Sequence, residues 1–306
     1  MPRHRERAAD AQTSRLTTDR YAAAVTTPLR QAIAAPCFDA TASELVDLAV
    51  QAENRGFDGF FIWDHLQFSN DIDGPAVHDP WALLAVIADR TERIRIGPMV
   101  TPVSRRRPWV LARQSVTIDH LSNGRLTLGV GLGSPAQGDF ARFGDAADNK
   151  ERAALLDEGL AVWAGLCSGE EFSYTGTHYR IKPTRFSPRP IQPHIPVWVG
   201  GVLPAQRPLR RAAAWDGVVP ITYRDGRLTR PTAPEMAAAL HTIESARDDM
   251  TGYDSVVWSP LHGTEPQDSD ILDEYVAAGV TWWIETAVPQ PNWQADLRTR
   301  IANGPV

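Results

Sequence analysis

Cysteine is scarce in this chain: Cys37 and Cys167 stand far apart with no C-x-x-C spacing, which argues against a disulfide framework and against a thiolate zinc site. Long apolar runs are missing as well. The apolar stretches are of strand length, about 5 to 8 residues, whereas a membrane span needs roughly 18. No segment concentrates basic residues on one face, and a net charge of −6 with interspersed signs argues against a nucleic-acid surface. An H-E-x-x-H pattern is absent, and His65, His78, His120, His178 and His194 are scattered, which disfavours a metal-dependent hydrolase. The first 27 residues carry basic side chains but neither the apolar core nor the cleavage site of a secretory leader. They read as a flexible tail, with an arm over a neighbouring subunit as the functional alternative. The compartment expected from these absences is the cytoplasm.

What is present is ordinary globular material: 43% apolar and 22% charged residues, enough to bury a large core. A length of 306 residues suits one α/β barrel, which takes about 250 residues plus insertions. Short β-rich runs alternate with helical patterns, and eight such units can be counted. The strands are Leu29 to Pro36, Phe57 to Trp63, RIRIGPMV, RLTLGVGL, IPVWVGG, GVVPIT, SVVWS and GVTWWIET. Thr41 starts the first helix, whose buried face carries Leu45, Leu48 and Ala52, and Gly56 ends it. A long helix runs from Lys150 to Leu166. Residues 169–193, rich in proline and aromatics, read as an irregular insertion. The fold class expected is therefore α/β, a (β/α)8 barrel over 28–306 with an insertion after the fourth β-α unit. An open doubly wound sheet is the alternative, disfavoured because no G-x-G-x-x-G turn stands near the beginning.

In such a barrel the reactive groups sit where strands exit at their carboxyl ends. Strand two exits into Asp64-His65, where an imidazole can exchange a proton beside a carboxylate; a helix cap plus a surface histidine is the plainer account. Strand three exits through Gly97-Pro98-Met99-Val100-Thr101-Pro102, backbone constraints able to bend the strand under a planar ring or simply to end it. The following Arg105-Arg106-Arg107 reads as solvated charge. Strand four exits through Gly129-Val130-Gly131-Leu132-Gly133-Ser134, where missing side chains admit either a ligand or close packing. Strand five ends at Gly200-Gly201 before a helix expected around Pro204 to Ala214, whose first amides are suited to a cofactor phosphate. Of Trp282 and Trp283, adjacent on the last strand, only one can face the barrel interior. Phe68, His78, Tyr223 and Trp258 are further pocket candidates.

Taken in order, GFDGFFIWDHL, RIRIGPMVTP, ARQSVTIDHLSNGRLTLGVGLGS, DFARFG, IPVWVGG and RRAAAWDGVVP resemble the bacterial-luciferase-like oxidoreductases, over roughly Gly56 to Pro220. AAGVTWWIE resembles the family's final strand, and Met1 to Thr27 lie outside the resemblance. The resemblance implies a redox enzyme in which His65 is catalytic beside the cofactor ring with Asp64 as its acidic neighbour. It implies that Pro98, Met99, Thr101, Gly131, Leu132, Gly133, Gly200 and Gly201 bind the cofactor, and that a non-prolyl cis peptide lies at Pro98-Met99. Two cofactors follow from it. Reduced FMN with O2, supplied by a separate flavin reductase, makes the chain a flavoprotein monooxygenase, and this is the leading expectation. Coenzyme F420 makes it a hydride-transfer oxidoreductase, the alternative; an inactive cofactor-binding protein stands below both. Leu132 departs from FMN-using relatives that carry an arginine there, and Ser134 from deazaflavin sugar-phosphate dehydrogenases that carry a glutamate. A small organic substrate and a homodimer complete the expectations.

Overall fold

The computed structural model describes residues 28–134, 138–261 and 268–306. The tail expected at Met1 to Thr27 lies outside the described residues. Among the described residues no helix is long and apolar enough to cross a membrane.

The first β-α unit shows how local chemistry sets the elements. Strand β1 (Arg30–Ala35) is apolar and buried from Ala32 onward, and α1 (Ala42–Asn54) begins at Thr41, whose hydroxyl accepts from the Glu44 amide while the Glu44 carboxylate accepts from the Thr41 amide. Gly56, at φ 94°, turns the chain into β2 (Gly59–Ile62). Asp79 caps α2 (Pro80–Arg90), with proline in the first turn where its missing N–H costs nothing. Then follow β3 (Arg95–Pro98), β4 (Thr101–Pro102), α3 (Pro108–Leu121), β5 (Leu128–Gly131) and α4 (Asn149–Cys167). After a hairpin, β6 (Glu171–Thr175) and β7 (Arg180–Arg185), come β8 (Val197–Val202), α5 (Gln206–Ala212), β9 (Gly217–Arg224) and β10 (Arg227–Thr229). The chain closes with α6 (Ala233–Glu244), β11 (Asp254–Pro260), α7 (Ser269–Ala277), β12 (Trp282–Thr286) and α8 (Trp293–Ala302).

The main sheet has the order β3-β2-β1-β12-β11-β9-β8-β5-β4, with every neighbouring pair parallel. Strands β3 and β4 are two pieces of one barrel strand. A bridge between Ile96 and Leu126 joins β3 to the start of β5 and closes the ring, so the (β/α)8 barrel read from the sequence is the observed fold.

Alternation along the strands sorts the side chains into two layers. Trp282 and Ile284 face inward with Ala32, Phe61, Met99, Trp198 and Trp258, whereas Trp283 packs outside against Met236, Leu272 and Tyr275 under α6 and α7. At the amino-terminal end the buried Asp254 accepts hydrogen bonds from the indoles of Trp198 (3.1 Å) and Trp282 (3.0 Å) and from Arg30 (2.7 Å). Indole bulk is accommodated there by glycine: a Cβ on Gly59 would come 3.0 Å from the Trp282 ring. The barrel is thus plugged at its base, and chemistry is left to the other mouth.

Residues 169–193 differ from expectation in part. Residues 186–193 are irregular as expected, but the first part of the segment is an antiparallel hairpin whose strands pair from Glu171↔Arg185 to Thr175↔Arg180 with a register shift between Phe172 and Tyr174. Its signal was the alternation Phe172, Tyr174 before Gly176. The Glu158 carboxylate of α4 accepts three amides of the connecting turn, from Thr177, His178 and Tyr179, which ties the hairpin to the barrel. A second hairpin joins β9 to β10 through Asp225-Gly226, both at positive φ as a two-residue turn requires. The helix expected at Pro204 to Ala214 is shorter, Gln206–Ala212.

Candidate active site

The open mouth is shaped by the break between β3 and β4. Pro98 still pairs in register with Ile62, and the Met99 amide donates to the Ile62 carbonyl at 2.8 Å. The strand leaves its ladder one residue later, so the non-prolyl cis peptide is Met99-Val100 rather than the expected Pro98-Met99. Met99 points into the barrel. Val100 lies against two of the flagged glycines: a Cβ on Gly131 would come 2.8 Å from its Cγ2, and one on Gly200 3.3 Å from its Cγ1. Gly133, at φ +71°, sits against Phe140 and Pro102, and Leu132 is half-buried against the core. Gly131 and Gly200 thus make room for the Val100 side chain, and with Leu132 and Gly133 next along the chain they form one shelf. Thr101 and Gly201 have protein partners: the Thr101 hydroxyl donates to Asp64 at 2.7 Å, and the space a Gly201 Cβ would need is filled by Pro208 of α5.

Beside the shelf runs a chain of buried charges. Asp64, at the exit of β2, accepts from Thr101, from the Trp81 indole (3.3 Å), from Arg105 (2.7 Å) and from Arg106 (2.8 Å). Burial acts to raise its pKa, but the guanidinium groups of Arg106 and Arg105 hold the carboxyl below its ordinary value. The Arg105 side chain is only 2% exposed and Arg106 15%, so the expectation of solvated arginines is corrected for these two. Two buried acids make this possible, since arginine leaves water only against a paired anion. Arg107 is exposed, near the Trp109 ring.

The second acid is Asp139. Its Oδ1 accepts the amides of Leu66 (2.8 Å) and Gln67 (2.9 Å), and its Oδ2 lies 2.6 Å from His65 Nδ1 and 2.9 Å from Arg105 Nη1. A carboxylate only accepts, so Nδ1 carries a proton and Nε2 is the lone-pair nitrogen of the neutral ring. Burial acts to raise the Asp139 pKa, but the hydrogen bond and charge of His65 and the charge of Arg105 hold it below its ordinary value. The His65 ring is 16% exposed. Phe68 stacks on Phe38 (4.2 Å) and meets the His65 ring edge-on (4.9 Å), while Trp63 lies 5.9 Å from Trp258 and donates to Thr286 at 3.0 Å. The Cys37 thiol donates to the His65 carbonyl, and burial pushes its pKa up to about 12, so it is no nucleophile. Of the other pocket candidates, His78 bonds the Ala40 carbonyl and Tyr223 lines a groove outside the barrel with Leu203, Gln206 and Arg224.

The sequence model of the luciferase-like monooxygenase family matches residues 16–281, beginning inside the stretch left outside the resemblance above. Among curated proteins the chain is 33% identical over 236 residues to the F420-dependent glucose-6-phosphate dehydrogenase of Microbacterium testaceum (strain StLB037), covering 74% of this chain and 67% of that one. It is 37% identical over 166 residues to the protein of the same name from Nakamurella multipartita, covering 53% and 48%. The chain thus aligns with about half to two thirds of the length of these relatives. Among solved structures, an F420-dependent secondary alcohol dehydrogenase in complex with an F420-acetone adduct matches with a TM-score of 0.72 over 89% of this chain and 98% of that one, at 14% identity, a likeness of fold.

Proposed function

The chain belongs to the luciferase-like monooxygenase family of oxidoreductases, and from that premise we propose that it uses coenzyme F420 to move a hydride to or from a small neutral alcohol or carbonyl compound. The F420-dependent relatives favour this over the reduced-FMN monooxygenase that led the sequence expectations. Leucine at 132 agrees, since it offers an FMN phosphate no charge-assisted contact.

The observation that carries the proposal is the His65–Asp139 pair beside the Val100 shelf. The shelf suits a planar ring through the Val100 side chain, which sits in the room that Gly131 and Gly200 leave for it, with Leu132 and Gly133 next along the chain. When bound, F420 supplies a hydride acceptor or, reduced, a hydride donor. His65 Nε2 takes the substrate hydroxyl proton in the oxidative direction and returns it in the reductive one, while Asp139 fixes the ring through Nδ1. Asp64 anchors Arg105 and Arg106 beneath them. Phe38, Trp63, Phe68 and Trp258 exclude water.

A sugar phosphate is a poor fit. Ser134 stands where the sugar-phosphate dehydrogenases resembled here carry a glutamate, and the upper interior positions Trp63, Ile221, Trp258 and Thr286 are uncharged. Incubation under argon with oxidised F420 and a panel of primary alcohols, secondary alcohols and sugar phosphates tests the reading. Bleaching of the deazaflavin by neutral alcohols is expected; product formation that requires reduced FMN and oxygen together would overturn it.

A further inference from the structure

An imidazole and a guanidinium share one oxygen in this site. Oδ2 of Asp139 faces both His65 Nδ1 at 2.6 Å and Arg105 Nη1 at 2.9 Å, while Oδ1 is taken by the amides of Leu66 and Gln67. The Arg105 Nη1–H groups are not aligned on any acceptor, so the contact at Oδ2 is an ion pair without a directed hydrogen bond. The same guanidinium holds Asp64 through Nη2 at 2.7 Å, and Arg106 holds Asp64 from the other side.

Two aspartates and two arginines cancel when His65 is neutral, and protonating His65 adds an unbalanced positive charge beside Arg105. The other groups that meet His65 carry no compensating charge: Phe38, Trp63 and Phe68 are apolar walls, and the thiol of Cys37 is protonated.

We propose that Arg105 is a positioning residue that keeps His65 neutral and protonated at Nδ1, by drawing on the Asp139 oxygen that would otherwise stabilise an imidazolium. An aspartate facing histidine alone makes it a stronger base; the shared oxygen weakens that effect. The proposal rests on the reading of His65 as the proton carrier. Its test needs neither cofactor nor substrate, so the two can fail separately.

The test is an NMR titration of the His65 ring in the full chain, with the signal assigned by its loss in His65→Gln. In Arg105→Met the midpoint is expected to rise by about one pH unit or more, and in Arg105→Lys, which keeps the charge, to stay near the native value. Arg105→Gln removes the charge while keeping a donor towards Asp64, and carries the comparison where Arg105→Met does not fold. A folded neutral variant with an unchanged or lower midpoint would overturn the proposal. So would failure of both neutral variants to fold, which would make Arg105 a structural partner of Asp64.

Discussion

Asp64→Asn is expected to destabilise the chain by about 3–5 kcal/mol, the range seen when one partner of a buried ion pair is removed and the others stay. The carboxylate is fully buried and neutralises Arg105 and Arg106 while accepting from Thr101 and Trp81. An amide of the same shape cannot balance two guanidinium charges held at 2% and 15% exposure. The pH dependence has a definite sign. With its folded pKa below the unfolded value of about 3.9, Asp64 contributes stability that is present above that value and is lost as pH falls through the folded pKa. Urea titrations of the native chain from neutral pH downward should show this acid loss, and the Asn variant should show less of it. Equal stability of the two proteins at neutral pH would contradict the arrangement.

His65→Ala is expected to lower kcat by about 10²- to 10⁴-fold, the usual worth of a positioned acid or base, with the fold intact because the ring is a wall of the mouth and not of the core. Asp139→Asn keeps an acceptor for the Leu66 and Gln67 amides and loses the charged partner that Nδ1 shares with Arg105. Its fall should be smaller, about tenfold to a hundredfold, matching a charge-assisted hydrogen bond of about 1.5–3 kcal/mol. Steady-state kinetics on the two variants with circular dichroism as a fold check separates the roles. A fall in Asp139→Asn as large as that in His65→Ala would place the chemistry on the carboxylate instead.

Much of this was legible in the chain. Short β-rich runs between helical patterns gave the eight strands, Thr41 and Gly56 bounded the first helix, and the crowding of glycine at 129, 131, 133, 200 and 201 marked where other chain segments pack close. His65 was visible because it leaves a strand at the reactive end of a barrel. What stayed hidden depends on contacts distant in sequence. Asp139 lies 74 residues from His65, and nothing in DFARFG announces that its carboxylate turns back onto the β2 exit. Arg105 and Arg106 look like surface charge until Asp64 and Asp139 are seen to neutralise them, and burial is a property of the pair. The position of the cis bond was missed by one residue because register with β2, set by Ile62, decides where the strand lets go.

The central claim is that this mouth binds a deazaflavin. The measurement that tests it most directly is anaerobic equilibrium binding of reduced coenzyme F420 and of reduced FMN to the purified chain at equal concentrations, each followed by its own spectrum. Selective binding of F420, weakened by displacing Val100 with Gly131→Val, is the predicted result. Selective binding of reduced FMN would contradict it.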